Sequence, residues 1–230
     1  MRNSVEMRQE NRMAPELAPE LAPFDEGFRQ RLRDLMVWRR DVRRFRADPL
    51  PEGGLDRLIE AACLAPSVGL SQPWRFVVVD DPGRRRAVAE NFSACNREAL
   101  ASLADDRAAL YARLKLAGLS EAPCHLAIFA DADSGVGHGL GRRTMPEMIE
   151  YSVVTAICNL WLAARAEGIG LGWISILEPA VITDILQVPA GWRLIGYFCL
   201  GYPQHQDDRP ELERAGWEQR RDWRSFVVRR

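Results

Sequence analysis

Lysine is almost missing from this chain. Of its 31 lysine and arginine residues only Lys115 is a lysine, so any anion must be gripped by planar, permanently charged guanidinium forks. No apolar run approaches the roughly 20 residues needed to cross a bilayer, and the N-terminus lacks the apolar centre of a secretory signal. The five cysteines, Cys63, Cys95, Cys124, Cys158 and Cys199, are odd in number, widely spaced and contain no C-x-x-C pair. They argue against a zinc knuckle, an iron–sulfur cluster or a disulfide framework. His125, His138 and His205 show no ligand spacing, so no metal is expected. The formal net charge of -1 supplies no global pull toward nucleic acid or an anionic membrane. Free thiols and the missing signal together predict a cytoplasmic protein.

What is present is enough for one substantial domain: 230 residues, 47% hydrophobic and 27% charged. Residues 1–24, with the duplicated Pro-Glu-Leu-Ala of 15–22, read as a flexible N-terminal arm that has little to bury. The domain follows over 25–230, with a charged C-terminal extension from about 203. Helices are expected over Asp25–Trp38 and Gly54–Leu64, then over 84–118 with breaks near Asn91 and Asp105. Thr144-Met145-Pro146-Glu147 reads as a capping box opening a long helix to Glu167. That helix is apolar over much of its surface, which places it at a core centre or a dimer interface. Strands are expected at 76–79, 125–130, 171–177 and 194–200. Without strict β-α alternation this is an α+β pattern with a central mixed, mainly antiparallel sheet surrounded by helices.

Three segments carry candidate chemistry. The first is the cationic run Arg39-Arg40-Asp41-Val42-Arg43-Arg44-Phe45-Arg46. It is a solvated basic stretch or, with Val42 and Phe45 as apolar anchors, a phosphate-gripping loop tied to the core. The second is the stiff loop Ala65 to Trp74. It offers Ser67, Ser71 and Gln72 as hydrogen-bonding groups, and Gly69 lets its backbone approach a planar ligand. The third is Gly168-Ile169-Gly170-Leu171-Gly172-Trp173-Ile174-Ser175, whose glycines would allow backbone to pack on a ring face. Gly135-Val136-Gly137-His138-Gly139-Leu140-Gly141 misses the G-x-G-x-x-G spacing and has no β-α-β context, so no dinucleotide site is read there.

In this order and spacing, the three segments resemble the nitroreductase-like flavoprotein superfamily over roughly residues 28–203. The motifs that carry the likeness are Arg39-Arg40-Asp41-Val42-Arg43-Arg44-Phe45, Ala65-Pro66-Ser67 with Gln72-Pro73-Trp74, and Gly168-Ile169-Gly170. The resemblance implies an intertwined homodimer with FMN at the interface. The helix over 147–167 would be its dimer core, with Trp217 or Trp223 of the tail anchoring on the other subunit. Asp41 stands where most of that superfamily carries serine. With Ser67-Val68-Gly69-Leu70-Ser71-Gln72-Pro73-Trp74 and Gly172-Trp173-Ile174-Ser175-Ile176-Leu177, it resembles the flavin-destroying branch. Members of that branch fragment reduced FMN with O2 to 5,6-dimethylbenzimidazole, the lower ligand of vitamin B12, releasing erythrose 4-phosphate.

By that resemblance Arg39, Arg40, Asp41, Val42, Arg43, Ser67, Gly69, Ser71, Gln72, Trp74, Ser175 and Arg209 form the flavin site, with Arg209 as a second phosphate contact. Fragmentation needs proton transfers at the ribityl hydroxyls, which a carboxylate performs far more readily than a serine at neutral pH. Asp41 is therefore assigned as general base or acid, or else as an orienting partner of Arg40 or Arg43. Ser175 is assigned as a hydroxyl that hydrogen-bonds the flavin. A segment around 88–118 would act as a lid, a separate flavin reductase would supply reduced FMN, and NAD(P)H would enter only through that reductase. The competing readings are an FMN-dependent NAD(P)H nitroreductase or quinone reductase, a non-catalytic flavin-binding module, and a deiodinase.

Overall fold

The computed structural model describes residues 24–102, 108–110, 117–133 and 135–230. The expected N-terminal arm lies outside these residues except for Phe24, as do residues 103–107 and 111–116 of the expected lid.

Helix α1 spans Glu26–Trp38, capped by Asp25, whose carboxylate accepts from the Phe28 N–H at 2.5 Å. Helix α2 (Gly54–Cys63), strand β1 (Trp74–Val78) and helix α3 (Pro82–Ala101) follow. Helix α3 runs unbroken through Asn91, where a break is expected from sequence. Asn91 instead uses its side-chain oxygen to accept the Glu178 N–H at 3.0 Å, tying α3 to the segment after β3. A short helix α4 (Gly118–Glu121) leads into strand β2 (Cys124–Asp131). The long helix α5 covers Met148–Ala166, then come strand β3 (Gly170–Ile174), helix α6 (Pro179–Leu186), strand β4 (Trp192–Gly201) and a short helix α7 (Glu211–Arg214).

The capping box does not form. Helix α5 starts at Met148, beyond it, because Met148 and Ile149 donate back to the carbonyls of Met145 and Pro146 in a turn that uses up the box residues.

The four strands pair antiparallel in the order β1-β2-β4-β3. Among the described residues the parallel element is a single bridge between Asp41 and Leu171. Side chains alternate across the sheet with the period of two. Leu126, Ile128, Ala130, Phe198 and Leu200 pack one face against α2 and α5, while Ala127, Phe129, Tyr197 and Cys199 pack the other with Val88 and Ile182. Helix α5 buries Ile149, Val153, Ala156, Ile157, Leu160 and Ala164 on the sheet at helical spacing. Its opposite side leaves Tyr151 52% and Val154 41% exposed. Helix α1 buries no residue at all.

His125 and Tyr197 form a buried polar pair between β2 and β4, with Nδ1 and the phenol oxygen 2.9 Å apart. Burial, with Arg85 nearby, lowers the imidazole pKa from 6.5 to about 4. The fold thus holds neutral histidine while the unfolded chain takes a proton below about pH 6.5. Stability from this group is complete above pH 6.5 and is lost as pH falls toward 4. At 1.36 kcal/mol per unit, that is about 3 kcal/mol. Urea denaturation of wild type and His125→Gln should therefore converge in stability by about this amount between pH 7 and pH 4. Parallel pH curves would show that His125 does not titrate with unfolding.

Candidate active site

The run from Arg39 to Arg46 is a seam sewn onto the end of the sheet. Val42 N–H donates to the Leu171 carbonyl at 3.0 Å, and Arg46 N–H to the Tyr202 carbonyl at 2.8 Å. Phe45 is 1% exposed, and its N–H donates to Glu121 at 3.0 Å. The glycines of β3 make this approach possible. A Cβ on Gly172 would fall 2.2 Å from the Val42 carbonyl oxygen, and one on Gly170 would fall 2.7 Å from Val42 Cγ2. Sequence suggested that these glycines make room for a ring face. In this chain they make room for the arginine-bearing segment, and Val42 is the residue that fills the space.

The seam presents Asp41 to a cavity of about 220 Å³ lined by Arg40, Asp41, Val42, Arg43, Arg44, His205, Asp207, Arg209, Glu211 and Arg214. Asp41 Oδ1 accepts the Trp173 N–H at 2.9 Å, and Oδ2 lies 3.7 Å from Arg43 Nε. Burial raises the Asp41 pKa above the ordinary 3.8; Glu211 adds to this, while the Trp173 N–H and the charges of Arg43 and Arg39 pull the other way. A carboxylate so placed takes up and gives back a proton closer to neutrality than a solvated one does.

The arginines divide their tasks. Arg39 stacks over the Trp161 ring, 4.5 Å from its centroid. Arg40 donates to the carbonyls of Arg39 and Asp208, and among the described residues its buried Nε has no partner. Burial lowers the Arg40 pKa, and the nearby charges of Arg220 and Arg39 lower it further. Arg209 lines the cavity together with Arg40 and Arg43. Arg214, Glu211 and the approach of Arg220 are not foreseen from sequence. They sit in a stretch of mixed charge without periodicity, where only the repeated arginines hint at a site.

Ser175 immediately follows β3 and is exposed. It is two residues past the N–H that holds Asp41, a step of about 7 Å in extended chain. The loop Ser67 to Trp74 is anchored elsewhere. Val68 N–H donates to Ser152 Oγ at 3.0 Å, and Thr155 Oγ1 donates to the Pro66 carbonyl at 3.0 Å. The Arg40 carbonyl instead accepts from Trp161 Nε1 at 3.1 Å. From Ser152 to Trp161 is about 14 Å of helix at 1.5 Å per residue. The fold therefore fixes the two motifs at separate points along α5 and does not merge them within one chain.

Inside that loop Ser67 Oγ accepts the Gln72 N–H at 3.1 Å, with Leu70 and Gln72 both at positive φ. Ser71 is 2% exposed and Trp74 is 6% exposed, a member of the core. Gly69 does make a close backbone approach, but to another loop. A Cβ on it would fall 2.9 Å from the Gly137 carbonyl oxygen, and one on Gly137 would fall 2.6 Å from that of Gly69. The glycine-rich loop thus acts as a clasp for the loop over 65–74, with His138 exposed on its surface.

A model of the Nitroreductase family matches residues 36–202. The chain belongs to the nitroreductase family. Among curated relatives of this family member, a protein of Rhodospirillum rubrum named 5,6-dimethylbenzimidazole synthase is 54% identical over 86% of this chain and 94% of its own. A Rhodobacter capsulatus protein of the same name is 44% identical over 85% of this chain and 95% of its own. Among solved structures, iodotyrosine deiodinase bound to FMN and 3-iodo-L-tyrosine aligns with TM-score 0.65 at 22% identity, covering 86% of this chain and 97% of its own. At that identity the structural likeness speaks for the fold alone.

Proposed function

We propose that this protein fragments reduced FMN with O2, yielding 5,6-dimethylbenzimidazole and erythrose 4-phosphate. The observation that carries the reading is Asp41, a carboxylate held by the Trp173 N–H among the arginines that line the cavity, where burial raises its pKa. The 54% identity to a relative named for this product supports it over an NAD(P)H nitroreductase or quinone reductase, which would return the flavin intact.

The residues present fit a phosphorylated flavin. Arg40, Arg43 and Arg209 would hold the phosphate with charge-assisted hydrogen bonds, and Arg39 adds charge from its perch on Trp161. At about 220 Å³ the cavity is smaller than the roughly 300–1,000 Å³ that encloses a drug-sized ligand. It would hold the phosphate and ribityl chain and leave the ring to groups outside it. Reduced flavin supplies the reaction with O2; the protein supplies position and protons. Asp41 moves the proton at the ribityl hydroxyls, and Ser175 offers a hydroxyl to the ring. Ser67 and Gln72 contact the ring from a second copy of the chain, because within one chain their loop is anchored away from the arginines. Ser71 and Trp74 keep that loop in shape from the core.

A homodimer follows from the same reasoning. Helix α1 leaves Met36 50% and Val37 48% exposed, and α5 leaves Tyr151 and Val154 exposed. The tail exposes Trp223 and Phe226 at 64% and 68%. Apolar surface on this scale marks a subunit interface. Reducing equivalents arrive as reduced FMN from a separate flavin reductase, with NAD(P)H consumed there. The five free cysteines fit a cytoplasmic setting.

Aerobic incubation with excess reduced FMN, followed by chromatography, tests the reading. A benzimidazole that accumulates beyond one equivalent per subunit is expected. Intact FMN after prolonged cycling, with no benzimidazole, would assign the protein to the flavin-recycling reductases.

A further inference from the structure

One guanidinium in the cavity serves two carboxylates. Arg43 Nε stands 3.7 Å from Asp41 Oδ2 and 3.6 Å from Glu211 Oε2, and the Arg43 side chain is only 14% exposed. The two acids are held very differently. Asp41 is fixed by the Trp173 N–H and by the backbone bridge to Leu171. Glu211 opens the four-residue helix α7 in the extension beyond the matched family region; its side chain is as exposed as that of Asp41, 39% against 37%, but among the described residues its carboxylate accepts no backbone N–H. Of the two, Glu211 is the carboxylate free to swing toward solvent.

We propose that Glu211 is a resident counter-ion that Arg43 exchanges for the phosphate of the incoming flavin, making Glu211 a determinant of how strongly the cavity selects phosphorylated flavin. A phosphate monoester brings a charge of about -1.5 to -2 at neutral pH. It cannot settle on Arg43 while a second carboxylate stays against the same nitrogen, since like charges at contact distance repel strongly at a partly buried site. Without ligand, Glu211 keeps Arg43 paired and in place. With ligand, it turns outward. The exchange holds the guanidinium ready at the expense of part of the affinity for phosphate. The inference rests on the reading of this cavity as the phosphate site.

The test compares FMN and riboflavin binding, by quenching of flavin fluorescence, in wild type, Glu211→Gln, Glu213→Gln and the double variant Arg43→Ala/Glu211→Gln, the last against Arg43→Ala alone. Glu211→Gln is expected to tighten FMN binding roughly three- to tenfold and to leave riboflavin unchanged. Glu213, on the same helix but outside the cavity lining, should have no effect. In the Arg43→Ala background the gain should vanish. A wild-type preference for FMN with no gain in Glu211→Gln, or equal changes for both flavins, would overturn the role of Glu211 alone. Equal wild-type affinities for FMN and riboflavin would overturn the phosphate assignment of the cavity.

Discussion

Asp41→Asn is expected to keep FMN bound while lowering benzimidazole formation by at least about 10²-fold, the range that a single general acid or base contributes. Asparagine retains the oxygen that accepts the Trp173 N–H, so the seam and the cavity keep their shape. What it loses is the ability to take a proton. Asp41→Ser, which installs the residue more usual in the superfamily, should behave in the same way. The wild-type rate should fall with acid, and the limb should lie above 3.8, because burial raises the Asp41 pKa and the base form is lost as pH drops through that raised value. Neither variant should keep this limb. Full product yield from either one would take Asp41 out of the chemistry and leave it as an anchor for Arg43.

Arg43→Ala should weaken FMN by about 10- to 150-fold and riboflavin far less, since a hydrogen bond to a charged group contributes about 1.5–3 kcal/mol. Only the phosphorylated ligand presents the charge that Arg43 reads. Asp41 and Glu211 would then face each other without the guanidinium between them, so the acid limb of any residual activity should move to higher pH. Isothermal titration with both flavins measures the first effect, and the pH profile of product formation measures the second. Equal losses for FMN and riboflavin would falsify a phosphate-reading role for Arg43.

Local signals carried much of this architecture. Helical spacing in Gly54–Cys63 and the apolar stripe of α5 are visible in the chain, and so are β-branched runs such as that of β1. Phe45 and Val42 were legible as anchors because apolar residues inside a basic run need something to bury them. The roles of glycine were harder to foresee. Gly69, Gly170 and Gly172 all allow a close approach, as their type predicts, yet what approaches is protein: Gly137 in one case and Val42 in the others. A sequence shows that space has been made; what fills it depends on contacts between distant residues. The capping box at Thr144 has the right letters, but a neighbouring turn takes its backbone groups. The lining from the tail has no local signature, because Arg209, Glu211 and Arg214 gain meaning only when the extension folds back beside Arg43.

The seam has a consequence for how the protein is made. The N–H that holds Asp41 belongs to a residue 132 positions later, and Arg40 is gripped by a carbonyl 168 positions later. A ribosome delivering the chain from its N-terminus releases the arginines early, and they wait without their strand until residues 170–174 have been made. Truncations that remove Asp208 and the residues after it should therefore lose flavin retention well before they lose helical content.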